Sequence, residues 1–337
     1  LTAVAEDDIF SYSLDQLLQI TIASKTSEQS SNAPGVVSVI TKQDIQSYGA
    51  RNLRDVLDRH TNMQVIGSNL YPHNRLSIRG ITQTHTDNKV LILLNGKVVR
   101  DANQGGLNSD IYNLFPVNII ERIEVIRGPG SALYGTNAFS GVINIITDKQ
   151  TNTVSLRTGS FEHKEVTAQV AFGDKDSGGQ ITINSMDNSG DEFENINGEF
   201  GTSGTLQSGK RIVQLLAEGN VNGFNFNAWI NKSSQDNVKS LFQFPSSKLD
   251  IERRHANIAY KIDINENWHI DSNFTYNYHQ VAFDISNSRS TRTDSQDYLL
   301  EVSTLGKITD ETKFVGGITY EKLHGTIGNT SANPTHF

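Results

Sequence analysis

Gly204, Gly209 and Lys210 stand at the spacing of a phosphate-cradling loop, in which backbone N–H groups and a lysine hold a nucleotide's phosphates. That chemistry needs Ser or Thr next, to reach the metal ion. This chain has Arg211, and no buried strand leads into the loop. Asp187-Asn188-Ser189-Gly190-Asp191 offers the oxygen ligands of a calcium loop, but Glu192 stands where the sharp turn requires glycine. Gly128 and Gly130 open a dinucleotide fingerprint whose third glycine is replaced by Leu133. The histidines show no H-E-x-x-H or other metal spacing, there is no G-x-S-x-G elbow, and there is no cysteine to act as nucleophile or thiolate ligand. No acid/base pair converges in the sequence. The chain therefore reads as a non-enzyme, with no catalytic residue, no metal site and no intrinsic cofactor. Its function must lie in recognition, and the question becomes which elements present the recognising residues.

The 337 residues suggest about two domains, and the charge divides them. Residues 1–150 carry 13 basic and 14 acidic side chains, residues 151–337 carry 16 and 23, and the net charge is −8. An acidic chain without a basic patch argues against a nucleic-acid partner. No apolar run of about 18 residues exists, which excludes a transmembrane helix but not a transmembrane β-barrel, whose strands alternate. Ala3-Val4-Ala5 before Glu6-Asp7-Asp8 looks like an export cleavage site.

The first half reads as a flexible N-terminal segment and a small mixed domain. Residues 6–35 are polar and serine-rich around one apolar stretch, Leu17 to Ala23. Val36 to Ile40 reads as a strand, Thr41 with Asp44 as the acidic form of a capping box, and Asn52 to Arg59 as a helix burying Leu53, Val56 and Leu57. Leu76 to Ile78 is a short strand. Val90 to Leu94, closed by Asn95-Gly96, signals a hairpin, and two further apolar strands follow at Ile119–Ile126 and Gly141–Thr147. The result is an α+β domain of about 110 residues.

In the second half, alternation with period 2 is the rule. Phe224, Phe226, Ala228 and Ile230 share one face, and Trp268, Ile270, Phe274, Tyr276 and Tyr278 share another opposite His269, Asp271, Asn273, Thr275 and Asn277. Nine strands are expected, near 153–159, 164–172, 180–187, 211–219, 224–232, 252–262, 268–280, 296–305 and 312–322. Their connections alternate between short (173–179, 220–223, 263–267, 306–311) and long and polar (188–210, 233–251, 281–295). That rhythm suits an up-and-down barrel in an outer membrane, with tight turns on one side and long loops on the other, better than a soluble sandwich or meander. Nine strands would leave an open edge in lipid, so an incomplete barrel is expected.

Taken together, these residues resemble the TonB-dependent outer-membrane receptors, and in particular their siderophore receptors. The resemblance rests on Leu14 to Ser24, Ala33 to Ile45, Leu76-Ser77-Ile78-Arg79-Gly80, and Ile119 to Thr147 with Glu121 to Pro129 and Leu133-Tyr134-Gly135. It implies residues 1–30 as a flexible segment carrying the TonB box, 31–150 as an α+β plug domain, and 151–337 as antiparallel transmembrane β-barrel strands, the N-terminal part of a barrel of 22 in the family. It further implies an outer membrane of a Gram-negative bacterium, outer-membrane lipid around the barrel, and TonB with its inner-membrane energising complex as partner. Ile20, Thr21, Ile22, Ala23 and Ser24 would form the box, an alternating segment suited to adding a strand to a partner's sheet. Arg79 and Arg127 would be buried at the plug–barrel boundary and pair with carboxylates from the later, C-terminal strands of the family's barrel, and Gly128 and Gly135 would serve tight turns. Ligand contact would come from two outward plug loops, 69–75 and 100–106, through Tyr71, His73, Arg75, Arg100, Asp101, Asn103 and Gln104. The cargo expected is a small-molecule nutrient, foremost a ferric siderophore. Haem, cobalamin or a sugar are alternatives for the same machine, and a soluble secreted β-rich adhesin is an alternative of another kind.

Overall fold

The computed structural model describes residues 19–20, 28–29, 36–68, 71–81, 86–103, 105–130, 134–148, 152–174, 176–197, 203–236, 248–286, 289–309 and 312–331. Two residue pairs, β1 (Gln19–Ile20) and β2 (Glu28–Gln29), are antiparallel, with Ile20 opposite Glu28. Of the expected box, Thr21 to Ser24 lie outside the described residues.

The N-terminal domain is built as its local signals require. β3 (Val37–Thr41) runs into α1 (Lys42–Ser47) through a complete capping box: the Asp44 N–H donates to Thr41 Oγ1 at 3.2 Å, and the Thr41 N–H donates to the Asp44 carboxylate at 2.9 Å. α2 (Leu53–Asp58) is capped by Asn52, whose side-chain oxygen accepts from the Asp55 N–H at 2.9 Å, and it buries Leu53, Val56 and Leu57. β4 (Met63–Ser68) and β5 (Tyr71–Ile78) form a hairpin. The expected loop at 69–75 is thus largely strand. Its polar residues carry no alternating apolar signal, and only pairing with β4 reveals it.

β6 (Val90–Leu94) and β7 (Lys97–Val99) meet at Asn95-Gly96, both at positive φ (50° and 77°), as a mirror-image hairpin turn requires. α3 (Ser109–Leu114) and a 3-10 turn at Val117–Ile119 lead to β8 (Ile120–Arg127) and β9 (Gly141–Thr147). The sheet order is β3-β8-β9-β6-β7, with β6 parallel to β9 and the other pairs antiparallel. Both faces of its centre are covered, and Val90 to Leu94 is buried throughout. Gly128 (φ 149°) and Gly135 (φ 72°) occupy backbone that L-residues avoid. Gly141 begins β9, as expected. A Cβ there would sit 2.6 Å from the Ile126 carbonyl oxygen and 2.5 Å from Ile78 Cδ1. Gly141→Ala is expected to cost about 1–3 kcal/mol through overpacking, measured as a lower unfolding midpoint of the plug.

Beyond Thr147 the architecture changes. β10 (Thr153–Gly159), β11 (His163–Gly173) and β12 (Ser177–Asn188) are followed by a separate small hairpin, β13 (Glu192–Asn197) and β14 (Ser203–Gln207). Then come β15 (Lys210–Val221), β16 (Phe224–Asp236), β17 (Lys248–Asn265), β18 (Trp268–Ser286), β19 (Arg289–Lys307) and β20 (Lys313–Ser331). Setting aside β13 and β14, nine strands form one antiparallel sheet in sequence order, and it is not closed among the described residues. The expected long loop at 281–295 is corrected: β18 and β19 continue as a paired ladder to Ser286 and Arg289. At 19 residues and roughly 3.3 Å each they exceed the length needed to cross lipid. A strand standing clear of the hydrocarbon needs no apolar face, so hydropathy does not mark it.

The two faces of this sheet are inverted relative to a soluble protein. Ile258, Ile262, Phe274, Leu300, Val302 and Ile318 point outward and are exposed, whereas Asn257, Thr275, Asn277, His279 and Asp297 point inward and are buried. An apolar belt around a polar interior is the signature of a wall facing lipid, and it argues against the soluble meander. The inward face rests on the N-terminal domain: Leu216 and Trp229 join the core formed by Leu53, Ile111 and Phe115, and Phe115 meets the Trp229 ring edge-on at 5.6 Å.

Candidate functional site

The seam between the N-terminal domain and the strand wall holds most of the buried charge. At its outer level, α3 supplies Asp110 and β17 supplies Arg253, both essentially without solvent exposure. Arg253 Nε donates to Asp110 Oδ2 at 2.9 Å and Nη2 to Oδ1 at 3.0 Å, a bidentate pair. Asn231 Nδ2 adds a bond to Oδ2 at 2.8 Å, and Arg253 also reaches the Leu107 carbonyl at 3.1 Å. Burial by itself would raise Asp110, but Arg253 outweighs it and holds the carboxyl below its ordinary range.

The second pair reverses the polarity. Arg100, just after β7, donates through Nε to Asp297 Oδ2 at 2.7 Å and through Nη2 to Oδ1 at 3.0 Å, and through Nη1 to Thr136 Oγ1 at 3.0 Å. Glu321 of β20 also contacts it. Each side of the seam thus contributes one arginine and one aspartate. Burial likewise favours raising Asp101, but His279, the Asn103 N–H and the Ser295 hydroxyl hold its carboxyl well below the usual range.

Ser295, His279 and Asp101 lie together but are not arranged as a nucleophile and base. The Ser295 hydroxyl donates to Asp101 Oδ1 at 2.9 Å rather than to the imidazole, and His279 Nε2 faces the Arg253 guanidinium at 3.2 Å. The arrangement ties domain to wall.

Two of the expected ligand residues are therefore corrected. Arg100 and Asp101 do not face outward. Both are buried, and Asp297 and Ser295 of the wall bond to them. Asn103 is half-buried and donates to the Thr326 carbonyl of β20 at 3.3 Å. Arg75 is half-buried in β5, within electrostatic reach of Asp87. Gln104 and the side chains of Tyr71 and His73 lie outside the described residues. Arg79 and Arg127 stand at strand ends, as expected. Arg79 is exposed in the turn after β5 at φ 54°, and Arg127 ends β8 with Nη1 donating to the Thr61 carbonyl at 3.4 Å. Among the described residues neither pairs with a barrel carboxylate. Their strand-end positions read correctly from sequence. The residues that join domain to wall (Asp110, Arg253, Asn231, Asp297 and His279) went unmarked. Arg253 sits between Glu252 and Arg254 and reads as a surface charge run; only its inward place in the alternation with His255 and Asn257 distinguishes it.

A wall that is apolar outside and polar inside, with an α+β domain bonded against its inner face, defines a plugged outer-membrane barrel. Comparison with known proteins agrees. Residues 29–142 match the family described as TonB-dependent Receptor Plug Domain. The vitamin B12 transporter BtuB of Vibrio vulnificus is 42% identical over 133 residues, covering 38% of this chain and 21% of that protein. BtuB of Vibrio cholerae is 26% identical over 315 residues, covering 89% of this chain and 49% of that one. Among solved structures, the pyoverdine outer-membrane receptor FpvA from Pseudomonas aeruginosa matches with a TM-score of 0.71 at 14% identity over 95% of this chain and 50% of that one. The ferric preacinetobactin receptor BauA from Acinetobacter baumannii gives 0.68 at 13% identity, over 94% and 51%. Residues 29–142 are thus a plug domain of the TonB-dependent receptor kind, nine barrel strands follow, and the place of such a plugged wall is the Gram-negative outer membrane. The chain spans about half the length of the relatives it matches over most of its own length.

Proposed function

We propose that the protein captures a scarce nutrient outside the cell and imports it when TonB pulls the N-terminal segment. The observation that carries this is the seam. The plug is bonded to the wall through two buried, bidentate ion pairs, so passage requires work on the plug rather than diffusion through a standing pore. The relatives' roles as transporters and receptors support a carrier rather than an enzyme. A ferric siderophore remains the first cargo, in keeping with the receptors of the same fold. Cobalamin is the second reading, favoured by the 42% identity of the plug region to BtuB.

The test is uptake of radiolabelled cyanocobalamin and of iron-loaded siderophores by cells expressing the complete protein, with and without TonB. TonB-dependent accumulation of one probe is expected, and accumulation of none would overturn the reading. Ile20→Pro probes the box directly. Proline cannot donate to a partner's strand, so uptake is expected to fall by about tenfold or more while surface binding of the same probe persists.

A further inference from the structure

We propose that the route for cargo runs along the β6–β7 hairpin, between it and strands β18 and β19, and that Lys97 closes its inner end. The inference rests on the transport reading above. A cavity of about 180 Å³ lies at this place. Lys97 and Asn144 of the plug face Asp271, Asn273, Glu301 and Ser303 of the wall across it, a few residues beyond the short turn at 266–267. At roughly 30 Å³ each, it has room for a handful of waters and is far too small for a siderophore or a corrinoid, as a closed route must be.

Three observations single out this seam. First, both walls bring polar groups to the cavity, the six just named, beside Val98, Tyr134 and Leu305. Parting the walls exposes groups that water can satisfy, at the cost of uncovering Leu299 of β19 and its contacts in the hairpin. Where Phe115 packs on Trp229, by contrast, parting the surfaces would expose apolar area. Second, the plug side is an edge. β7 has three residues and lies at the end of the sheet, beside β6, so it can swing without parting β8 from β9. Third, the seam is closed by side-chain ties at its ends. Lys97 Nζ donates to Asn273 Oδ1 at 3.2 Å, and Asn273 in turn donates to Glu301 at 2.8 Å. At the outer end stand the Arg100–Asp297 pair and the Asn277 amide, which donates to the Val98 carbonyl at 3.0 Å. The turn of the same hairpin and the end of β9 are bonded to the flank at β12 and β15. Glu218 accepts from Thr147 Oγ1 at 2.7 Å, from Asn95 Nδ2 at 2.8 Å and from Gln180 Nε2 at 3.4 Å.

The labelling test uses the complete protein in outer-membrane fragments, in a cysteine-free background, with a small maleimide that has access to both faces of the membrane, and uptake is measured in intact cells. Lys97→Met is expected to speed labelling at Ser303→Cys by about fivefold or more and to leave labelling at Gln180→Cys unchanged. Equal acceleration at both positions, or none at Ser303→Cys, overturns the route. A second arm does not depend on Lys97. A short bis-maleimide bridging Val98→Cys and Ser303→Cys is expected to cut uptake of cyanocobalamin or iron-loaded pyoverdine by about tenfold relative to the unbridged variant. The same bridge between Thr147→Cys and Glu218→Cys should spare it, and the reverse pattern overturns the route. If the parent protein takes up no probe at all, the transport reading fails, and the labelling arm still decides whether this seam is the one that opens.

Discussion

Arg253→Met is expected to lower the stability of the plug in its barrel by about 3–5 kcal/mol, because it strands the Asp110 carboxylate in a dry seam. The carboxylate would lose two charge-assisted bonds, at 2.9 and 3.0 Å, and keep only the amide of Asn231. Water cannot replace them without parting Leu107 and α3 from β17. The informative comparison is the double variant, Arg253→Met with Asp110→Asn. Removing both charges removes the stranded one, and the amide introduced by Asp110→Asn still accepts from Asn231, so most of the loss should be recovered. The readout is the temperature at which trypsin cuts the plug of the complete protein in outer-membrane vesicles. Burial of Trp229, whose ring lies 6.0 Å from the Arg253 guanidinium carbon, gives a fluorescence check on the same seam. If the single and double variants are equally weakened, Arg253 acts by filling space, and its charge is incidental.

Asp87→Asn is expected to have an effect of similar size, with a pH dependence that identifies its cause. Asp87 is buried inside the plug, where it accepts from the Tyr112 hydroxyl and from the Leu76 N–H at 3.3 Å. Burial raises its pKa from the ordinary 3.8 to about 7, against the opposing pull of those two donors, Asn108 and Arg75. The folded protein therefore holds a proton that the unfolded chain releases near pH 4. The stability tied to this group is fully present below about pH 4 and is lost as the pH rises through about 7, amounting to roughly 4 kcal/mol. The substituted amide would keep an acceptor for Tyr112 and carry no charge. The variant and the parent should thus be equally stable at pH 4, with the variant ahead at pH 8. Asp101 and Asp110, held low, lose stability in the opposite direction, as the pH falls, so the difference between variant and parent isolates Asp87. A difference that does not change between pH 4 and 8 would show that Asp87 is ionised throughout.

Much of this protein was legible in its residue order because the signals were local or periodic. The Thr41–Asp44 box, the Asn52 cap and the Asn95-Gly96 turn each depend on a few neighbouring residues, and each formed where its residues stand. Alternation with period 2 counted nine strands and separated the outward apolar face from the inward polar one, because a strand has only two faces and lipid requires one of them to be apolar. What the residue order could not tell was which polar residues meet. Arg100 and Asp101 read as an exposed loop, yet they are buried against Asp297 and Ser295, nearly two hundred residues away. The upper reaches of β18 and β19 read as loop, since outside the hydrocarbon a strand is defined by its partner and not by its own hydropathy. The residue order by itself determined an α+β plug and the strands of a barrel wall. Only the tertiary structure decided how the plug is held and where it can give way. A charge's partner depends on register and on which faces are brought together, and neither is written within a few residues of the charge.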